Sequence, residues 1–310
     1  MPGPITRRTE NSVPGFPWRT RFIARKQALR GDAAPPLVVI KGAGDIASGI
    51  ALRLYHAGFD IAMTETAAPT AVRRKVCFSQ AVYEGRVQVE DAAAVLVRDD
   101  EEMLRAFAER RIAVFVDPSG SILKRCNPAV VVDAIMAKKN TGTALNDAPV
   151  VIGVGPGFIA GIDCHGVVET MRGHTLGRLI LRGSALPNTG VPGDIGGYTA
   201  ERLLRAGADG VFEAVAEIGD TVQKGDIAAV VRPAAGGPGS VPIHAEISGI
   251  VRGLLPSGIS VTRGMKAGDI DPRCEWEHCF TVSDKALAIA GGVLEGILRF
   301  TLSGPAQEQP

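Results

Sequence analysis

Aromatic side chains are scarce: phenylalanine, tyrosine and tryptophan together make up 5% of the 310 residues. With few rings to stack on bases and a formal net charge of +1, the chain has neither a basic aromatic stripe nor a global field that would recruit nucleic acid. Cysteine is sparse too. Cys77, Cys126, Cys164, Cys274 and Cys279 are too few and too scattered for a disulfide framework, which points to a reducing, cytoplasmic setting. No apolar run reaches membrane-spanning length, and no apolar stretch follows Arg7-Arg8 as an export signal would require. Glycine, by contrast, is plentiful at 38 residues, which implies many tight turns and close backbone approaches.

The first 36 residues hold six prolines, no apolar period and seven basic residues against two acidic ones, and read as a disordered basic extension. Folding is expected from Leu37. LVVIK, a glycine turn and an apolar helical stripe form a strand–turn–helix unit in which Gly42-Ala43-Gly44-Asp45-Ile46-Ala47 fits G-x-G-x-x-[GA]. Such a loop lets a phosphate approach a helix N-terminus. Glu65 ends the next strand 21 residues after Gly44, a spacing at which an acid can reach a ribose hydroxyl. Asp45 inside the loop would repel pyrophosphate unless neutralised. Arg73 and Arg74, just beyond, offer charge-assisted contacts to an anion, or else form a solvated turn.

Strands and helices then alternate to about residue 153, with Asp117 and Asp133 at strand ends. This pattern predicts an α/β fold with a Rossmann-like, doubly wound, mostly parallel sheet over 37–199. The densest chemistry lies in Val150–Gly197. Gly153, Gly155 and Gly157 leave a β-branched strand, followed by Cys164, His165, Glu169, Arg172 and His174, then a proline–glycine loop bearing Asn188 and Thr189. Cys164, His165 and Glu169 are the candidate catalytic groups, and the glycines with Arg172, His174, Asn188 and Thr189 are candidate cofactor contacts. The competing reading is a buried loop whose polar groups satisfy one another.

An internal repeat follows: shifted by 39 residues, Ala208–Asp226 lies on Ser248–Gly264 and beyond, matching Gly210 to Gly249, Gly219 to Gly258 and Gly225 to Gly264. Over 200–272 this resembles the biotinyl/lipoyl-domain family and implies a small β barrel-sandwich. No lysine occurs between Lys224 and Lys266 to carry biotin or lipoate. Cys274, His278 and Cys279 match no familiar metal spacing, so no metal is expected. Residues 273–303 are expected to end in a helix capped by Ser283 and packing back on the α/β domain, with Gly291, Gly292 and Gly296 marking close contact with the sheet or a second subunit.

Taken in order, KGAGDIASG, PTAVRRKVCFSQAVYEG, VVDAIMAKKN, GVGPGFIAGIDCHGVVET, RGHTLGR, GSALPNTGVPG and GDIDPR resemble the YqeB-type proteins of the selenium-dependent molybdenum hydroxylase system over about Leu37 to Leu298. The resemblance implies an accessory protein in hydroxylase maturation, with the hydroxylase apoenzyme as partner. Its ligand would be a small phosphorylated molecule, the molybdenum cofactor or a related nucleotide, with sulfur or selenium handled at Cys164. An NAD(P)-dependent oxidoreductase and a non-catalytic adaptor are the alternatives, and turnover itself is left open.

Overall fold

The computed structural model describes residues 35–190, 193–233 and 239–302. The expected basic extension lies, to residue 34, outside the described residues, as does part of the tip between the two repeat copies.

Nine strands make the main sheet: β1 (Leu37–Lys41), β2 (Asp60–Glu65), β3 (Arg86–Val89), β4 (Ala92–Leu96), β5 (Ile112–Val116), β6 (Val130–Asp133), β7 (Val150–Val154), β8 (Gly166–Val168) and β9 (Leu179–Ile180). Their order is β3-β4-β5-β2-β1-β6-β7-β8-β9. β1, β6 and β7 are buried along their whole length, so apart from the strand-ending Lys41 and Asp133 their side chains are apolar on both faces, as LVVIK, VVVD and VVIGV show. Pairing is parallel from β4 through β8 and antiparallel at both edges.

Among the described residues five α-helices accompany the sheet: α1 (Asp45–His56), α2 (Ala81–Glu84), α3 (Asp100–Ala108), α4 (Ile122–Cys126) and α5 (Asp284–Leu302). The helix α5 returns from the C-terminus and packs on α1 and the sheet. Gly49 of α1 and Gly296 of α5 permit this, since a Cβ at either would stand 2.7 Å from Ala286 Cβ and 2.9 Å from Ile152 Cδ1, respectively. Among the described residues, no helix is long and apolar enough to cross a membrane.

Eight further strands form a smaller unit: β10 (Leu203–Arg205), β11 (Gly210–Ala214), β12 (Thr221–Val222), β13 (Ile227–Arg232), β14 (Val241–His244), β15 (Gly249–Leu254), β16 (Ser260–Val261) and β17 (Lys266–Asp271). They make two four-stranded antiparallel sheets, ordered β10-β17-β15-β12 and β14-β13-β11-β16. Each repeat copy gives its two longer strands to one sheet and its two-residue strand to the other.

This arrangement corrects the expected fold. A Rossmann-like doubly wound sheet followed by a biotinyl/lipoyl-like barrel is replaced by a mixed nine-stranded sheet and two separate antiparallel sheets. The crossovers from β6 to β7 and from β7 to β8 contain no helix, and the long helix on the sheet comes from the far end of the chain. The small sheets are completed by β10 and β14, which lie outside the repeat. Strand–helix alternation in the first half of the chain therefore did not extend to the second.

Candidate functional site

The parallel strands bring their C-terminal ends to one edge, where Lys41, Glu65 and Ala134 open onto a cleft of about 750 Å³. The far wall comes from the small unit through Arg202, Arg252, Lys266 and Asp269, and Ser283 and Lys285 at the start of α5 close it from a third side. Seven basic side chains line the cleft against three acidic ones, Asp45, Glu65 and Asp269, so its field favours an anion.

The glycine loop is built for close approach. Gly42 has φ +93°, and a Cβ there would lie 3.0 Å from the Ala134 carbonyl oxygen. Gly44 is extended, and a Cβ there would meet nothing within 4 Å because it would project into open space. No side chain caps α1 at Gly44, which leaves the positive end of the helix available at the cleft. The two acids near it are occupied. Glu65 accepts from the Ala43 N–H at 3.0 Å and the Thr66 N–H at 2.8 Å. Asp45 pairs with Arg73 at 3.1 Å, which resolves the repulsion expected from a carboxylate in this loop.

Arg73 is buried and works as a strut. Its other terminal nitrogen donates to the carbonyls of His278 and Thr281, each at 3.0 Å, while its Nε has no partner. Arg74 donates to the Leu254 carbonyl at 3.1 Å. The basic turn thus ties the main sheet to the small unit. Within the small unit, the single carboxylate of Asp269 serves Arg202 at 3.1 Å, Arg252 at 2.9 Å and Lys266 at 3.5 Å. Burial lowers the pKa of Lys266 despite the pull of Asp269, and burial with the nearby Arg172 charge lowers that of Lys285. Lys41 reaches Thr143 and stands 3.6 Å from Asp133, whose carboxylate accepts from Thr143 Oγ1 at 2.6 Å.

The central stretch is placed differently from expectation. Cys164 packs among Val131, Val151, Phe158 and Val167, and burial pushes its thiol up to about 11. His165 is not its activating cation: its Nδ1 accepts from the Val151 N–H at 3.0 Å, and burial lowers its pKa. Glu169 is buried and receives the N–H groups of Thr170 and Met171 at 2.7 Å each and of Leu186 at 2.9 Å. Cys164 thus serves apolar packing, while His165 and Glu169 accept from backbone N–H groups. Gly153, Gly155 and Gly157 serve close packing, against Phe158, Thr170 and the Lys139 backbone. None of the three lines the cleft.

Arg172 does line it and forms a two-bonded pair with Asp284 at 2.9 and 3.1 Å. Asn188 and Thr189 line a smaller adjoining cavity of about 200 Å³, whereas His174 is exposed and lines neither. Sequence reasoning missed Lys41, Arg202, Arg252, Lys266 and Lys285. Of these only Lys41, directly ahead of the glycine loop at a strand end, carried a local signal.

The chain is 49% identical over 268 residues to the Escherichia coli protein named "Uncharacterized protein YqeB", a match covering 86% of this chain and 48% of that protein. The chain therefore spans about half the length of that relative, and the identity supports the YqeB-type family suggested by the motifs. Against models of known protein families it has no match. Structural neighbours include the product-bound ectoine utilization protein EutE (DoeB) from Ruegeria pomeroyi, at 16% identity, 76% of this chain, 85% of that one and TM-score 0.26. An aspartoacylase family protein from Mesorhizobium loti stands at 12%, 76%, 84% and 0.26, and a succinylglutamate desuccinylase/aspartoacylase from Rhodobacter sphaeroides at 16%, 76%, 85% and 0.26. At such TM-scores the likeness carries no argument.

Proposed function

We propose that this relative of YqeB holds a phosphorylated cofactor, molybdopterin in mono- or dinucleotide form, and serves as an accessory protein in maturing a molybdenum hydroxylase. The observation that supports the reading is the cleft at the uncapped start of α1, where basic side chains outnumber acidic ones by seven to three. Its residues fit a phosphorylated group on two further counts. The buried Nε atoms of Arg73 and Arg252 lack partners, and the space above Gly44 is one that a Cβ would fill. The hydroxylase and the pathway come from the family resemblance alone. Sulfur or selenium transfer is not carried forward, because the Cys164 thiol is buried and held protonated.

A nicotinamide nucleotide is the competing ligand, favoured by the position of Glu65 at the end of β2. Calorimetric titration with a molybdopterin dinucleotide and with NAD(H) separates the two. Gly44→Val is expected to weaken binding of the true ligand at least about tenfold, about 1.4 kcal/mol, with the melting temperature nearly unchanged. Undiminished affinity in that variant would overturn the assignment of this cleft.

A further inference from the structure

The smaller cavity of about 200 Å³ shares Met136, Arg172, Gly193 and Lys285 with the cleft, but its character differs. Val154, Met171 and Leu186 give it apolar walls, and Thr170 and Asn188 bring neutral donors and acceptors. Among the described residues none of its lining side chains is acidic. The one charged group it adds to those shared with the cleft belongs to Lys138, an exposed residue. Such a lining suits a flat, uncharged ring with a hydrogen-bonding edge. An apolar cavity of about 150 Å³ admits benzene, so the space here suffices for a fused ring that enters from the cleft. Two further observations tie this cavity to the phosphate loop. A Cβ at Gly42 would stand 3.1 Å from the Ile135 Cα, so the loop abuts the chain one residue before Met136. Met136 itself has φ +62°, a left-handed conformation that a residue other than glycine adopts only at a cost. Strain of this kind gathers at ligand clamps, and a thioether held there can pack on the face of a ring.

We infer that the cavity beside Met136 holds an uncharged fused heterocycle of the pterin type, joined by a short link to the phosphate or diphosphate at the Gly42–Asp45 loop. This rests on the phosphate-binding reading above and assigns a place to the ring end of that ligand. Because the loop and Met136 are neighbours, a one-carbon link fits the spacing better than the ribose that a nucleotide interposes. Arg172 and Lys285 stand at the junction. Arg172 is already paired with Asp284 at 2.9 Å, which leaves Lys285 to meet the link.

The probes are hydroxymethyl-dihydropterin diphosphate, methyl diphosphate and ADP, titrated calorimetrically into the full chain. The pterin compound is expected to bind at least about tenfold tighter than methyl diphosphate, with ADP gaining less. Leu186→Trp fills the cavity from a half-exposed position, so it should remove that advantage while leaving methyl diphosphate affinity unchanged. Met136→Gly should also reduce it with folding kept, because glycine adopts φ +62° without strain. Equal affinity for the pterin probe and methyl diphosphate, an equal gain with ADP, or an advantage that survives both substitutions overturns the ring assignment. The phosphate site stands even then if Gly44→Val abolishes methyl diphosphate binding. If no probe binds, both readings fall.

Discussion

At the scale of single residues, burial decides more of the chemistry than spacing does. Cys164 has a histidine beside it and a glycine loop before it, the arrangement that in an open pocket would lower a thiol pKa. Here the neighbours are Val131, Val151 and Phe158, and a thiol pushed up to about 11 is ionised to about one part in ten thousand at pH 7. Limited iodoacetamide is therefore expected to label exposed Cys274 first and the buried Cys77, Cys126, Cys164 and Cys279 slowly. Cys164→Ser, which puts a hydroxyl in an apolar cluster, should cost about 1–3 kcal/mol by urea denaturation. Peptide mass spectra in which Cys164 reacts before Cys274 would reverse this assignment.

The lysines of the cleft give a pH signature. Lys266 and Lys285 both titrate below the ordinary 10.5, chiefly because burial disfavours their charged forms. A bound anion favours those charged forms, so binding near their lowered pKa values takes up protons. Affinity should then be highest below those lowered values and fall as pH rises through them, beginning lower than a free lysine would dictate. Lys285→Arg, whose charge does not titrate in this range, should shift the fall upward. Calorimetry between about pH 7 and about pH 10 checks this, and a flat affinity with the wild-type chain would exclude a lysine contact.

At the scale of elements, the sequence spoke clearly where one element dictates its own pattern. LVVIK and VVVD read as buried strands because every residue is apolar or strand-ending, and Ser283 stood out as the residue preceding α5. The two-residue strands β12 and β16 carry no pattern of their own and exist only by pairing with β15 and β11 of the other repeat copy, so the division of the repeat between two sheets was not legible. The glycines of α5 announced a close contact without saying with what. Gly292 faces the Gly177 carbonyl and Gly291 faces nothing within 4 Å. Gly292→Ala should accordingly destabilise by about 1–3 kcal/mol through overpacking. Gly291→Ala should stabilise by about 0.5–1 kcal/mol, because it only removes the entropic penalty of glycine in a helix. Paired chemical denaturation curves with shifts of the same sign would show that α5 does not sit as described.

At the scale of the whole molecule, the cleft joins residues that no local motif connects, which is why half of it could not be read in advance. Glu65 and the Gly42–Gly44 loop were visible because they share one strand–turn–helix unit. Arg252 and Lys266 come from sheets, and Arg202 from the turn leading into one, whose placement depends on tertiary packing. That packing runs through a narrow seam: the main sheet with α1 and α5 forms one apolar cluster, the small unit forms another, and Val72 packs against the second. Across the seam run the Leu254 N–H to Val72 carbonyl bond at 2.7 Å, the Arg74 bond to Leu254, and the two Arg73 bonds to the His278 and Thr281 carbonyls. Arg73→Met keeps the volume and removes every polar tie of that side chain, leaving two carbonyls and Asp45 without their donor. The loss should amount to about 1.5–3 kcal/mol for the charge-assisted bonds. Because the two apolar clusters are otherwise nearly independent, the single calorimetric unfolding peak expected of the wild type should broaden or split in the variant. Arg73→Lys should not restore it, since an ammonium lacks the planar fork that reaches Asp45 on one side and His278 and Thr281 on the other. A single sharp transition at the wild-type temperature in Arg73→Met would mean that the seam is held by apolar contact and that Arg73 is free to serve the ligand alone.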